Sequence, residues 1–316
     1  MQKTKPNLFE RFFSRLLPFD HLILIYSWIM VVIIVNFARP LDRYVGILLF
    51  YLGVTLLIIL LVQLFRPEGN RVGVFFRLLY PIIIMTAFYQ VSGRLVHLFV
   101  PGFYDYQIVA LEKGIFGGDP SLLLDRFSGT FLTELFSASY FSYYFLVPGL
   151  ALYLFFDRRD RELKRFLAAT CVTFFISYLV FIFYPVEGPR HYFSALYATK
   201  LDGPIFHPLV DLVIGRAAFH GGAMPSSHVA EALVVMLCAI RWYGRKAYFL
   251  VVIVAALALS TIYGRFHYAT DVVIGVVIGA AAYWLVLAFY PLTAGSDRQQ
   301  DITDEEIARE YVSDNI

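Results

Sequence analysis

Gly221-Gly222-Ala223-Met224-Pro225-Ser226-Ser227-His228 and Ser260-Thr261-Ile262-Tyr263-Gly264-Arg265-Phe266-His267-Tyr268-Ala269-Thr270-Asp271 are two short polar islands in a greasy chain. Apolar runs long enough to cross a bilayer flank both. Of the 316 residues, 59% are hydrophobic and only 16% charged, and the mean hydropathy is +0.67. Soluble domains are nearer half apolar and about a quarter charged, so the chain reads as an all-α polytopic membrane protein.

A spanning helix needs about 20 mostly apolar residues to cross about 30 Å of hydrocarbon. That criterion predicts helices over residues 21–37, 44–65, 74–100, 131–156, 166–184, 229–242, 247–263 and 272–290, about eight in all. The sixth is short, so it is expected to begin at Ser226 or Ser227, with Pro225 set at its start, where the missing N–H costs nothing. The third is long: either it tilts, or its end at Arg94 and His97 projects into the headgroups, those side chains snorkelling to the surface or reaching a lipid headgroup. Residues 101–130 read as a loop with a short interfacial helix. The longest polar connector among the later helices runs over 185–222. After Pro291 the chain turns acidic, and Thr303 with Glu306 reads either as a capping box opening a small helix over 304–312 or as a solvated tail.

The implied organisation is an N-terminal segment over 1–20, two accessory transmembrane helices over 21–73, a six-helix catalytic membrane domain over 74–291 and a soluble tail over 292–316. Lys3, Lys5, Arg11 and Arg15 precede the first apolar run, but no small-residue cleavage site follows, which argues for a retained helix. Cys171 and Cys238 fall within apolar runs, as small buried hydrophobes do. The net charge of +2 contains no basic block of the kind nucleic acid demands.

With eight spans both termini share a side. That side carries sixteen Lys and Arg and the other eight, with Arg77 and Arg94 left within the third span. The richer side is expected to be cytoplasmic. Both islands then face outward from a plasma membrane of bacterial type, with both termini inside.

The fifth helix ends, the sixth starts, the seventh ends and the eighth starts on that one face. Arg190, Ser226, His228, Arg265, His267 and Asp271 can therefore converge without crossing lipid, and ionisable residues at membrane depth are costly and usually mark a functional site or pathway. Gly221 and Gly222 let a backbone approach an anion, and the start of the sixth helix offers free N–H groups. Arg190 and Arg265 suit bidentate phosphate binding, with Ser226, Ser227 and Gly222 beside them. His267 and Asp271 are four apart, so on a helix they share a face. A carboxylate on one ring nitrogen would leave the other free as a nucleophile, and His228 could protonate a departing oxygen. The same His and Asp could also hold a metal. Glu231, one turn into the sixth helix, is expected to pair with a site arginine. His191, His207 and His220 read as surface or wall residues of the outward loop.

Pro225-Ser226-Ser227-His228, followed by Ser260-Thr261 and then His267 and Asp271, resembles the motifs of the type 2 phosphatidic acid phosphatase superfamily, which includes vanadium haloperoxidases and sphingolipid phosphotransferases. Ser227 replaces the family's Gly, and Thr261 its Arg. An arginine stands instead at Arg265. The first motif, Glu187-Gly188-Pro189-Arg190, has Pro before Arg and no lysine seven residues upstream. Those departures, with Asp105, Glu112, Phe116-Gly117 and Pro120 upstream, resemble the inositol phosphorylceramide synthase-like branch. The likeness spans roughly residues 104–291. It implies a phosphohistidine on His267, oriented by Asp271, with His228 as acid and then base. Arg190, Arg265 and Ser226 would hold phosphate, and no metal or other cofactor would be needed. The implied partner is a membrane lipid phosphate, with water or a lipid or sugar hydroxyl as acceptor. The contrasting class, a transporter with a His–Asp proton path, predicts ionisable residues near mid-span and broken helices.

Overall fold

The computed structural model describes residues 12–65 and 70–293. The capping box at Thr303 and Glu306 lies outside them. Among the described residues all regular structure is helical, apart from one isolated bridge between Val186 and Gly222. The helices are α1 (Pro18–Phe37), α2 (Val45–Leu64), α3 (Arg71–Ser92), α4 (Asp105–Phe116), α5 (Pro120–Asp125), α6 (Thr130–Phe156), α7 (Asp160–Phe183), α8 (Pro189–Tyr192), α9 (Phe206–Ala217), α10 (Ser227–Tyr243), α11 (Phe249–Tyr263) and α12 (Ala269–Thr293).

Six of these are long and apolar enough to cross a membrane: α1, α2 with the turn before it, α3, α6, α7 and α12. The chain is thus an all-α polytopic membrane protein. Helices also stand at the remaining two expected positions but are shorter, α10 at 17 residues and α11 at 15. Side chains such as Ile25, Val32, Leu56, Val252 and Trp284 point outward as an apolar surface, which suits lipid and not water.

Two expected boundaries move. α3 stops at Ser92, eight residues short of the apolar run. A Cβ on Gly93 would lie 2.6 Å from the Phe219 ring, so glycine suits this close contact, and Arg94 and His97 fall in the turn that follows. α7 starts early, at Asp160, with Asp160 and Glu162 in its first turn, where the helix dipole favours acids. α10 begins at Ser227, one of the two expected positions, with Pro225 just before its cap, Ser226, whose hydroxyl accepts the Val229 N–H at 3.5 Å. The loop over 101–130 holds two helices. α4 closes on Gly117 in the left-handed region (φ 75°), and α5 is capped by the Asp119 carboxylate on the Ser121 N–H at 2.8 Å.

The core is aromatic. Tyr26 of α1 stacks on Phe175 of α7 with centroids 4.4 Å apart, and Tyr51, Phe88 and Tyr178 pack around the pair. Arg77 and Asp20 are both fully buried and paired to each other, and Tyr80 donates to the same carboxylate. Asp20 also accepts the Leu17 N–H at 2.6 Å, so it starts α1 and fastens it to α3 together. Cys171 and Cys238 are buried free thiols.

The packing that positions the islands is that of α10 against α12. A Cβ on Gly275 would stand 2.5 Å from the Ser226 carbonyl oxygen, and one on Gly279 2.4 Å from that of Ala230. Two glycines four apart let helix backbones approach closely. The Ser226 N–H accordingly reaches the Asp271 carbonyl at 2.9 Å, tying the two polar islands together.

Candidate active site

Three backbone segments meet at one end of the bundle. Val186 and Ala223 are joined by an N–H···O bond of 3.0 Å, and the Arg190 N–H donates to the Arg265 carbonyl at 2.7 Å. Helix α4 braces this junction from outside. The Asp105 carboxylate accepts the N–H groups of Glu187 (2.8 Å) and Gly188 (2.9 Å) and the Tyr268 hydroxyl (2.9 Å). Glu112 accepts the Thr270 N–H at 2.7 Å, in the first turn of α12. Burial pushes the Glu112 carboxyl up to about 7, with Asp119 and Asp271 adding to the shift and the Thr270 N–H opposing it.

Two histidines face each other on this frame. His267 Nε2 lies 3.4 Å from His228 Nδ1. The other nitrogen of His267, Nδ1, is 2.7 Å from the Ala223 carbonyl, which can only accept, so Nδ1 carries the proton and Nε2 keeps its lone pair. Asp271 is farther, at 3.7 Å from Nδ1. The pair does not share a helix face, because α12 begins at Ala269 and His267 lies in the turn before it. Asp271 Oδ2 instead accepts the Tyr268 N–H at 2.8 Å.

Tyr140 is a site residue that sequence reasoning missed: its hydroxyl is 2.9 Å from His228 Nε2. Its ring and that of Tyr143 flank His228 with centroids at 5.0 and 4.4 Å. The available signal was Tyr140, Tyr143 and Tyr144 at helical spacing in α6, which reads equally well as core.

Both histidines open onto a cavity of about 250 Å³ that Ser227, Gly222 and Arg190 also line. Ser226 is fully buried and serves as the α10 cap. The Arg190 guanidinium reaches Asp211 of α9 at 2.9 Å and lies over the Phe266 ring at 5.6 Å. Glu134 of α6 sets α9 in place by accepting the N–H groups of Phe206 (2.9 Å) and His207 (3.1 Å) at its start.

Arg265 is not among the groups facing the histidines. Its guanidinium pairs with Asp125 at 2.6 Å, reaches the Thr199 carbonyl at 2.9 Å and stacks 3.8 Å over Tyr197. Its backbone is in the left-handed region (φ 64°), a conformation uncommon outside glycine that the side-chain anchors hold. Burial raises the Asp125 pKa, but bonds from Thr199 and Ala198 and the Arg265 charge outweigh it and hold the carboxyl below its usual range. Glu231 does not meet an arginine either. It is fully buried beside Thr170, one turn below His228, where the described arginines do not reach.

A second cavity, of about 210 Å³, lies beside the first and shares Arg190, Tyr140 and Phe266 with it. Lys200, Arg265, His207 and Asp211 give it a polar lining.

The family model described as the PAP2 superfamily matches residues 107–285, more than half of the chain and all of this site's catalytic candidates. A PA-phosphatase related-family protein from Dictyostelium discoideum is 26% identical over 168 residues, which cover 46% of this chain but 30% of that protein. No solved structure matches the chain.

Proposed function

The chain belongs to the PAP2 superfamily, and on that footing we propose that it cleaves a lipid phosphoester or diphosphate through a phosphohistidine on His267. The observation that carries the proposal is the commitment of His267 Nδ1 to the Ala223 carbonyl, which leaves Nε2 free and facing His228. Nε2 would attack phosphorus while the leaving oxygen takes a proton from His228. The protonated His228 ring would donate its Nε2–H to the Tyr140 hydroxyl, so that the proton it gives up is the one on Nδ1, the nitrogen turned toward His267. Water or an alcohol would then lose its proton to His228, attack the phosphohistidine and release His267 unchanged. Arg190, Ser227 and Gly222 line the cavity and would hold the phosphate oxygens. Ser226, Arg265 and Asp271 would act by fixing the backbone around them. We place the site on the extracytoplasmic face, because the Lys and Arg excess lies on the other side.

Transfer to a lipid or sugar hydroxyl, as in inositol phosphorylceramide synthase-like enzymes, is the second reading. The adjoining cavity favours it, since a separate polar chamber reaching Arg190 offers room for an acceptor. The test is product analysis with purified protein on lipid phosphates, polyprenyl diphosphate, and inositol lipids with ceramide. Free phosphate identifies a phosphatase, and a new phospholipid without it a transferase. Both are expected to vanish in His267→Ala and His228→Ala, by about a thousandfold or more. Full activity in either folded variant overturns the proposed chemistry.

A further inference from the structure

Glu187, His191 and His220 stand close together at the outer rim of the same end of the bundle. Their ligand-capable atoms, one from each residue, all lie within 4.8 Å of one another. His220 Nδ1 is 2.8 Å from Glu187 Oε1, and the His191 and His220 rings have centroids 4.2 Å apart.

The backbone holds this arrangement. The Val186–Gly222 bridge lays the segment carrying Glu187 beside the one carrying His220. Asp105 clamps the N–H groups of Glu187 and Gly188. His191 follows within one turn, its own N–H bonded to the Gly188 carbonyl at 3.2 Å. A proton shared by Glu187 and His220 would account for that pair alone. Ring contact brings His191 beside His220, but neither contact requires a His191 nitrogen to lie within 4.8 Å of the ligand atoms of both partners.

We propose that Glu187, His191 and His220 bind one divalent first-row cation of the zinc class at the mouth of the histidine cavity. Two imidazoles and one carboxylate are a donor set such ions take, at about 2.0–2.2 Å per ligand, with a further position left for a non-protein oxygen. Two nitrogen ligands select against magnesium and calcium, which prefer all-oxygen sites. The half-exposed His220 side chain is free to close the remaining distance.

Glu187 and His191 also line the cavity that holds His228 and His267. A cation there would stand at the rim, with its open position available to an oxygen of an incoming phosphate. The chemistry at His267 would need no metal, and the cation's part would be capture. That role rests on the proposed lipid phosphate substrate, whereas the binding of the ion does not.

The experiment is isothermal titration of metal-free, full-length protein in detergent with Zn2+, paralleled by Co2+ absorption spectroscopy. The expected result is one ion per chain and a Co2+ spectrum with nitrogen-ligand bands. His191→Ala, His220→Ala and Glu187→Gln should each weaken binding about tenfold or more at unchanged melting temperature. His267→Ala and His207→Ala should keep the ion, which separates cation loss from loss of turnover. No stoichiometric binding by the unaltered protein, or unaltered affinity in all three ligand variants, overturns the site. If the ion binds as described but no lipid phosphate is turned over, the metal site stands and the phosphotransfer reading falls.

Discussion

His267 owes the orientation of its ring to a backbone carbonyl more than to a carboxylate. Ala223 is 2.7 Å from Nδ1 and Asp271 is 3.7 Å away, beyond ordinary hydrogen-bond range. Asp271→Asn should therefore keep measurable turnover, with kcat down about tenfold and not the thousandfold expected for His267→Ala. Steady-state kinetics on the identified substrate checks this, and a loss as deep as that of His267→Ala would show that the carboxylate closes on the ring during the reaction. Tyr140→Phe removes the hydroxyl from His228 Nε2 while keeping the ring. It should lower kcat about tenfold, leave KM nearly unchanged and shift the pH–rate profile. A change in KM alone would assign Tyr140 to packing. The histidines and Asp271 were legible as islands in the sequence, but the partners of their individual nitrogens were not, because a carbonyl 44 residues away leaves no mark on residue type.

At the scale of single elements, the approach of α12 to α10 decides whether the islands meet. Gly275→Val would drive a side chain into the Ser226 carbonyl, 2.5 Å from the Cβ position. Activity should fall about a hundredfold or more, since small misplacements of reacting groups are costly, while Gly149→Ala, with nothing within 4 Å, should be silent. Retention of full activity in Gly275→Val would mean the helices are not held by that contact. Gly275 and Gly279 are visible in the sequence as small residues four apart, yet which helix they face is not. Helix α4 supplies a pH signature. The Glu112 carboxyl titrates at about 7 against an ordinary 4.5, so the folded protein holds its proton more tightly than the unfolded chain. Its stabilising contribution is full below about 4.5 and is lost as pH rises through 7. The melting temperature should thus fall between pH 5 and 8 by more in the unaltered protein than in Glu112→Gln. Equal slopes would remove Glu112 from the account.

Across the whole molecule, polar structure gathers at two ends. One end holds the histidines and α4. The other ties α3 to the start of α7 through Arg71 and Asp160 at 2.9 Å, with Tyr243 on Asp157 at 2.9 Å. Between them, the buried Arg77–Asp20 pair joins the first helix to the bundle. Removing one partner leaves a buried charge unmatched, which costs about 3–5 kcal/mol. Asp20→Asn should therefore lower the detergent melting temperature sharply, and Asp20→Asn combined with Arg77→Met should recover much of the loss. A double variant no better than the single would show that the pair contributes shape and not charge balance.

Long apolar runs determined the all-helical membrane architecture by themselves, because a backbone in hydrocarbon must satisfy its own hydrogen bonds and only a helix does so within one segment. Spacing within the islands also singled out His228, His267 and Asp271 as candidates, since the proposed chemistry needs those residue types near helix ends. Only the tertiary structure decided that Arg265 turns to Asp125 and Tyr197, that Ser226 is a cap while Ser227 lines the cavity, and that Tyr140 and Glu112 belong to the site's surroundings. Those are choices among partners distant in sequence. They are set by which backbones pack closely enough to touch, and periodicity in one segment carries no information about the segment it meets.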